Sequence, residues 1–523
     1  MISPGDRRSG MTGRRVLLAL AVVLSLTAWL AAPVAAQKRG GTIVVGNDDD
    51  AVGLDPHLSF AFASANFYEH AYTGLTRFNA KMEIEGDLAT SWEIPNPTTY
   101  VFKLRKGVKF HNGREMTAED VKYSIDRIRD PKTGSPVRDT YGSVEAVEVV
   151  DRHTVRLRLS KPDGALLSLM TGRAGYVVPR EEIEKHGNLQ KVAVGTGPFK
   201  LIEHVSGDFA RFVRFDQYYE AGLPYLDGFT IKVIKDESSR LAALRKGTVD
   251  LTWIKAVETE DLARREKGLQ WSDTPEARHL YIWLNTQVPP FNNVKLRQAV
   301  AASLNRQEII DTVLLGRGKL TAAIPPATVP YVLPPNEIAT LPFYKQDYEL
   351  VKKLLREGGQ PNGFEFVYKT SPHSPDYVPA AQVIQRQLAK AGITLKIEQV
   401  EWGALLKTFR SGADFQAIAF ARVWYPDPEG YTTDTLHSKG ATNAAHYANP
   451  EVDRLLDEQS RTTNTQRRIA IWHDLQRIWA QDVPIIWPYA MRTRYNVWQP
   501  TLKGFAPMAN ASRVSLRHAW LEK

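Results

Sequence analysis

Apolar and polar positions alternate along this chain in short codes of two kinds. Tyr100, Phe102 and Leu104 recur at every second position, and Val108 and Phe110 repeat the pattern after Gly107, which predicts a β-hairpin. Val155, Leu157 and Leu159 alternate with Arg156 and Arg158, the code of a half-buried strand. Between them the period lengthens. Thr117 can cap a helix whose first turn holds Glu119 and Asp120, and Val121, Ile125 and Ile128 share one face.

From Phe229 the two periods take turns. Strand Phe229–Val233 leads to a helix over 238–246 with Leu241 and Leu244 inward. Gly247 stops it, and a strand over 249–253 follows. Strand 280–284 precedes a helix over 294–302. Asn305 then caps a second helix, with Glu308 placed for a capping-box-like pair, and Gly316 ends it. Strand 364–369, helix 380–390, the stop at Gly392, strand 394–399, helix 402–410 and strand 415–421 continue the alternation. Such alternation predicts α/β layers with largely parallel sheets. The proline-rich stretch 324–342 predicts an irregular loop over the surface.

The N-terminus reads differently. Arg7, Arg8, Arg14 and Arg15 precede the apolar run Val16 to Leu30, which ends in Ala-Ala-Pro-Val-Ala-Ala. A run of fifteen residues falls short of the roughly 20 a spanning helix needs. Charged, apolar and small segments in this order predict a secretory signal, residues 1–36, cut after Ala36. The arginine pair also fits a twin-arginine signal, so the export route stays open.

Composition sets the limits. With 523 residues, two to four domains are allowed. Charged residues are 24% and the hydrophobic share is 43%, which is ordinary globular make-up. The net charge is +9, part of it in the first 36 residues, and a remainder that small does not predict nucleic-acid binding. There is no cysteine. That excludes disulfides, thiol nucleophiles, cysteine zinc sites and a lipid-modified N-terminal cysteine.

Motifs of chemistry are scarce. No G-x-S-x-G elbow, H-E-x-x-H helix or P-loop lysine occurs. Gly195-Thr196-Gly197 looks glycine-rich, but Pro198 removes a donor that a phosphate cradle needs, so a tight turn before strand 199–203 is expected. Asp48, Asp49 and Asp50 lack the spacing of a calcium loop and read as a solvated loop. His437 and His446 match no ligand code. No cofactor and no metal site is expected. What stands out is Trp424-Tyr425-Pro426-Asp427-Pro428, two aromatics leaving a predicted strand into a proline-stiffened loop. Open α/β sheets bind ligands beyond their strand ends. Trp424, Tyr425, Arg422 two positions earlier on the same side of the strand, and Trp402 are therefore the candidate ligand-binding residues.

One ordered run of motifs remains: Leu54-Asp55-Pro56-His57, the stretch 87–93, Phe102 to Gly113, Thr117 to Val121, Gly195 to Phe199, Leu284-Asn285-Thr286, Pro290-Phe291 with Arg297-Gln298-Ala299, and 425–428. Together they resemble the family 5 extracellular solute-binding proteins of ABC importers. The resemblance implies a two-lobed α/β fold that closes on its ligand, with an extra subdomain in the first lobe. Residues 37–79, 196–277 and 490–523 would form that lobe, 80–195 the subdomain and 278–489 the second lobe. Crossovers are implied near 278–286 and 488–498. It implies a monomer in the periplasm, not lipid-anchored and not an enzyme, that delivers a small, peptide-like solute to a membrane permease complex. In the peptide binders an aspartate near the Tyr-Pro-Asp-Pro segment holds the peptide's amino terminus. Here Trp424 stands in its place, and Asp427 and Glu429 look like loop residues. A non-peptide solute such as an oligosaccharide, an opine-like or a cyclic compound is the alternative ligand, which an indole could stack. A free ligand carboxylate would pair with Arg422. A secreted hydrolase with a spatial triad is the alternative of another class.

Overall fold

The computed structural model describes Met1 and residues 38–59, 61–272, 274, 277–423, 427–491 and 495–522. The predicted signal segment, Trp424, Tyr425 and Pro426 lie outside the described residues.

Three sheets carry most of the chain. The first has seven strands in the order Gln270–Trp271, Tyr495–Trp498, Leu251–Ile254, Thr42–Asn47, Gly228–Val233, Phe209–Arg214 and Phe199–Val205. The second runs Thr394–Gln399, Glu365–Thr370, Ala417–Val423, Arg278–Leu284 and Ile485–Ile486, with Ala490–Met491 also on the Arg278–Leu284 strand. The third has four strands, Ala89–Asn96, Thr99–Leu104, Thr154–Leu159 and Val144–Asp151. It packs over its own core of Phe102, Val121, Ile125 and Leu157. The fold is α/β, as predicted, but the sheets are mixed. In the first sheet only Thr42–Asn47 pairs in parallel, with its two neighbours. In the second, Glu365–Thr370 does the same. The remaining strands are antiparallel because hairpins and chain-end strands, which need no crossover helix, were added at the edges.

Local codes place the helices well. Ala118–Arg129 opens at Thr117 with a capping box to Asp120 and buries Val121, Ile125 and Ile128. Each of those side chains contributes about 1.5–3 kcal/mol by leaving water. Helix Val294–Ala302 falls on its predicted span. Asn305 caps Arg306–Val313 by accepting from the Glu308 amide. The reciprocal half of the predicted capping box is not made. Gln387 takes the Asn305 amide, and Gln387 Nε2 donates to Glu308 as well.

Other expectations are corrected by long-range partners. The predicted hairpin of 100–104 with 108–110 does not form. Thr99–Leu104 instead lies between Ala89–Asn96 and Thr154–Leu159. Val108 and Phe110 fold back on 114–116 in a tight turn and stay buried. The stretch 324–342 is irregular and partly exposed, as predicted, but it is anchored in the core. Ile324, Ala327, Leu333 and Ile338 are fully buried, and Pro335–Ile338 is a helical turn. Gly195 and Gly197 do precede strand Phe199–Val205. Both lie against main chain: a Cβ on Gly197 would sit 2.4 Å from the His70 carbonyl oxygen.

The chain passes between the two large sheets twice. Trp271 ends in the first sheet and Arg278 begins in the second. Met491 ends in the second and Tyr495 begins in the first. The strand Arg278–Leu284 belongs wholly to the second sheet.

Candidate functional site

Arg278 starts its strand at the first passage, opposite Val423 on one side and Met491 on the other. An arginine leading an otherwise apolar, buried strand needs a partner. Asp376, at the start of helix Tyr377–Lys390, supplies it at 3.3 Å, and Ser374 Oγ accepts a bond from the same guanidinium at 3.1 Å. Tyr489 donates to the other Asp376 oxygen at 2.8 Å, and the Tyr377 ring lies under the guanidinium. Burial pushes the Asp376 carboxyl up, but Arg278 and the donors Ser374 and Tyr489 outweigh it and hold it below the usual carboxylate range. The pair is therefore ionised, and it ties three segments of the second sheet to the passage.

Arg422 lies on the neighbouring strand, opposite His279. Its Nη1 donates to Thr435 Oγ1 at 2.6 Å and to the Tyr431 carbonyl at 3.5 Å, both on helix Glu429–Leu436. Arg422 thus joins strand Ala417–Val423 to helix Glu429–Leu436. His279 is fully buried, and burial lowers its imidazole to about 3, so it is neutral beside Arg422. Phe420, two residues earlier and on the same strand face, meets Trp402 edge to face at 5.7 Å. Trp402 opens helix Trp402–Ser411, half-buried, and stacks flat on the exposed His373 ring at 4.3 Å. Of the four predicted residues, Arg422 shares a strand with Phe420, and Trp402 meets the same Phe420 from its own helix. Trp424 and Tyr425 lie outside the described residues.

Asp427 and Glu429 are not solvated loop residues. Asp427 is sealed from solvent, and Arg468 donates to both of its oxygens at 2.6 Å. The charge of an otherwise uncompensated buried carboxylate explains the arrangement. Burial, and then the neighbouring Asp427, push the Glu429 carboxyl up to about 7. Asp427 is thus fixed to helix Thr465–Asp482, which carries Arg468.

The first sheet ends in a polar cluster of its own. Of the three aspartates predicted as a solvated loop, Asp49 is exposed, but Asp48 and Asp50 are engaged. Trp253 Nε1 donates to Asp48 at 3.1 Å, and Lys255 pairs with the same carboxylate at 2.6 Å. Asp50 accepts from His204, Ser206 and the Gly207 amide. Arg513 lies over the Trp253 ring and donates to Asn47. Asn47 and Ile254 end neighbouring strands, and Ile254 pairs with Tyr495 at the second passage. Sequence reading missed Arg278, Asp376, Tyr489 and Arg468. The available signal was a lone charge beside an apolar run, at Arg278 and at Asp376.

A cleft of about 400 Å³ opens at the far end of strand Ala417–Val423, between Arg410, Thr442 and Asn443. Neither Arg422 nor Trp402 lines it. Among the described residues no group of three His, Asp or Glu is placed to hold a metal ion. Among them too, no helix is long and apolar enough to cross a membrane.

Comparison with known proteins places this arrangement. The model of the bacterial extracellular solute-binding proteins, family 5, matches residues 83–443. The chain is 28% identical over 511 residues to the glutathione-binding protein GsiB of Shigella dysenteriae, covering 94% of this chain and 96% of the relative. It is 30% identical over 489 residues to heme-binding protein A of Haemophilus influenzae, covering 87% and 88%. Among solved structures it resembles the periplasmic binding protein DppA from Helicobacter pylori in complex with the peptide STSA. There the identity is 25% and the TM-score 0.71, over 93% of this chain and 99% of that one. The α/β fold, the order of motifs and these matches agree: the chain belongs to the bacterial extracellular solute-binding proteins, family 5, the solute-capturing components of ABC importers.

Proposed function

We propose that the protein captures a peptide-like solute in the periplasm, between two lobes that close on it, and hands it to a membrane permease complex without chemical change. It acts as a monomer, exported with its signal cut after Ala36 and without a lipid anchor. The lobes divide into 37–79, 196–277 and 490–523 against 278–489, with 80–195 as the subdomain and crossovers near 278–286 and 488–498. Trp424, Tyr425, Arg422 and Trp402 form the wall contributed by the second lobe.

One observation carries this reading. Polar and aromatic side chains of both large sheets gather at the strand ends where the chain passes twice from sheet to sheet, with Arg278–Asp376 on one side and Asp48–Trp253–Lys255 on the other. Two passages beside two polar clusters give a hinge with a binding surface on each side, and a ligand touching both biases closure. Relatives point to the ligand class: one is named for glutathione, and another was solved with a tetrapeptide. Asp427, the acid nearest Trp424 in sequence, is sealed from solvent and paired with Arg468, so it does not face a ligand ammonium. The solute's amine is therefore held by stacking on the indole or is blocked.

Mass spectrometry of the solute that co-purifies from periplasm, followed by calorimetry with that compound, tests the proposal. Saturable binding of a peptide-like compound, recovered unchanged, is expected. Release of a cleaved product would instead establish a hydrolase. Small-angle scattering should show a smaller radius of gyration at saturation. An unchanged radius would remove the closure.

A further inference from the structure

The loop after strand Thr154–Leu159 joins two parts of the chain that share no sheet. Asp163 is held within its own subdomain. Tyr100 Oη donates to its carbonyl at 2.9 Å, Ser143 Oγ donates to its carboxylate at 2.6 Å, and that carboxylate also accepts from the Ala165 amide. Gly164 comes next and bonds elsewhere. Its amide donates at 2.8 Å to the carbonyl of Ser460, in the last turn of helix Pro450–Arg461. Carbonyls of a last helical turn have no partner inside their helix, so this one is satisfied from the subdomain.

The approach leaves no room for a side chain. A Cβ on Gly164 would collide with the Thr462 carbonyl oxygen and stand 3.0 Å from both the Gln459 carbonyl oxygen and Arg468 Nε. These three nearest neighbours all belong to 278–489, the proposed second lobe, and none to the subdomain. Gly164 does not have a positive φ, so the glycine supplies space and not an unusual torsion angle. The contact also adjoins the clamp beside the proposed solute wall. Arg468 donates through Nε to the Gln459 carbonyl at 3.3 Å and through its other nitrogens to Asp427. Two bodies that rotate about a hinge cannot keep a main-chain bond this close, with no space for a methyl group, in both arrangements.

We propose that Gly164 is a positioning residue for solute capture. It lets the subdomain seat on the end of helix Pro450–Arg461 as the lobes close, and the bond to Ser460 is made in the closed arrangement alone. Gly164 touches no solute; it sets how much of the protein is closed, and a solute's apparent affinity follows that fraction. The proposal rests on the two-lobed reading above.

The test measures stability and capture on the same variants, Gly164→Ala and Gly164→Val. Denaturant unfolding should be unchanged in both, because the nearest atoms the added carbons would meet all lie in the other lobe. Calorimetry with the compound recovered from the periplasmic protein should show about tenfold weaker binding for Gly164→Ala, the scale of a methyl forced against packed main chain, and weaker binding again for Gly164→Val. Spin labels read the closure itself. The chain has no cysteine, so Lys132→Cys on the subdomain and Lys439→Cys on the second lobe, both exposed, take the two labels without competition. With Gly164 in place, a saturating amount of the same compound should gather the label separations into one narrow population. With Gly164→Val that population should shrink. Separations that the compound moves in neither protein would remove closure, and the latch with it. Separations that it moves equally in both, affinity unchanged in Gly164→Val, or unfolding that weakens in step with affinity would overturn the latch and leave closure standing.

Discussion

Arg468 grips Asp427 with two bonds of 2.6 Å, across 41 positions of sequence, and neither side chain is more than 2% exposed. Removing one partner leaves the other charged and buried. Asp427→Asn should therefore destabilise the protein by about 3–5 kcal/mol in denaturant unfolding. The double variant Asp427→Asn with Arg468→Met should lose less than Asp427→Asn alone, because the buried guanidinium is removed together with its acid. A double variant worse than either single change would mean that packing, not charge, makes the contact.

Glu429 lies beside that pair, and its carboxyl is raised to about 7, first by burial and then by Asp427. Its ordinary value is 4.5. Between these two values the folded state binds more protons than the unfolded state, so this group's contribution to stability falls as pH rises through the window. Above about 7 its full cost is present. Glu429→Gln should therefore stabilise the protein at pH 8 and do little at pH 4.5. With 26% of the side chain still reached by solvent, the gain should be about 1–2 kcal/mol. Unfolding curves of both proteins at several pH values check it, and parallel pH profiles would refute it.

Gly197→Ala tests a different kind of constraint. A Cβ there would lie 2.4 Å from the His70 carbonyl oxygen and 2.6 Å from the Ala71 carbonyl carbon, which are main-chain atoms without room to yield. Overpacking of this kind costs about 1–3 kcal/mol. A smaller loss in Tm than in Gly207→Ala, where nothing stands within 4 Å and only backbone strain acts, would contradict the close approach.

What could be read in advance divides by distance along the chain. Thr117 and Asn305 cap helices through bonds to residues three positions on, so their codes are local and were legible. The spacing of Val121, Ile125 and Ile128 is equally local. Sheet order is not. Nothing near Val108 says that Thr99–Leu104 will pair with Thr154–Leu159. Nothing near Leu251 announces a strand from 495–498. The site divides in the same way. The Trp402–Phe420 neighbourhood follows from strand alternation and a helix start. Asp376 with Arg278, 98 residues apart, and Asp427 with Arg468 are ion pairs that no spacing encodes.

The last prediction separates two aromatic positions that the proposed wall shares. Trp402 has a partner on each side: His373 stacked at 4.3 Å and Phe420 edge-on at 5.7 Å. Trp402→Ala removes packing as well as any ligand contact, so it should lower stability by about 2–4 kcal/mol and affinity together, a half-buried version of the usual loss for a large aromatic. Trp424 follows a strand end held in place by Arg422 and precedes the Asp427 clamp. If its indole meets the solute, Trp424→Ala should weaken binding by about 1–3 kcal/mol, the scale of one large apolar side chain leaving water, with a smaller effect on unfolding. Calorimetry and denaturant unfolding on both variants give four numbers. A Trp424→Ala protein that unfolds easily yet binds normally when folded would place the indole in the core. Trp424→Asp restores the acid of the peptide binders. With Asp427 already occupied by Arg468, that new carboxylate would be free to pair with an ammonium. The variant should therefore lose the native solute and gain affinity for short peptides with a free amino terminus.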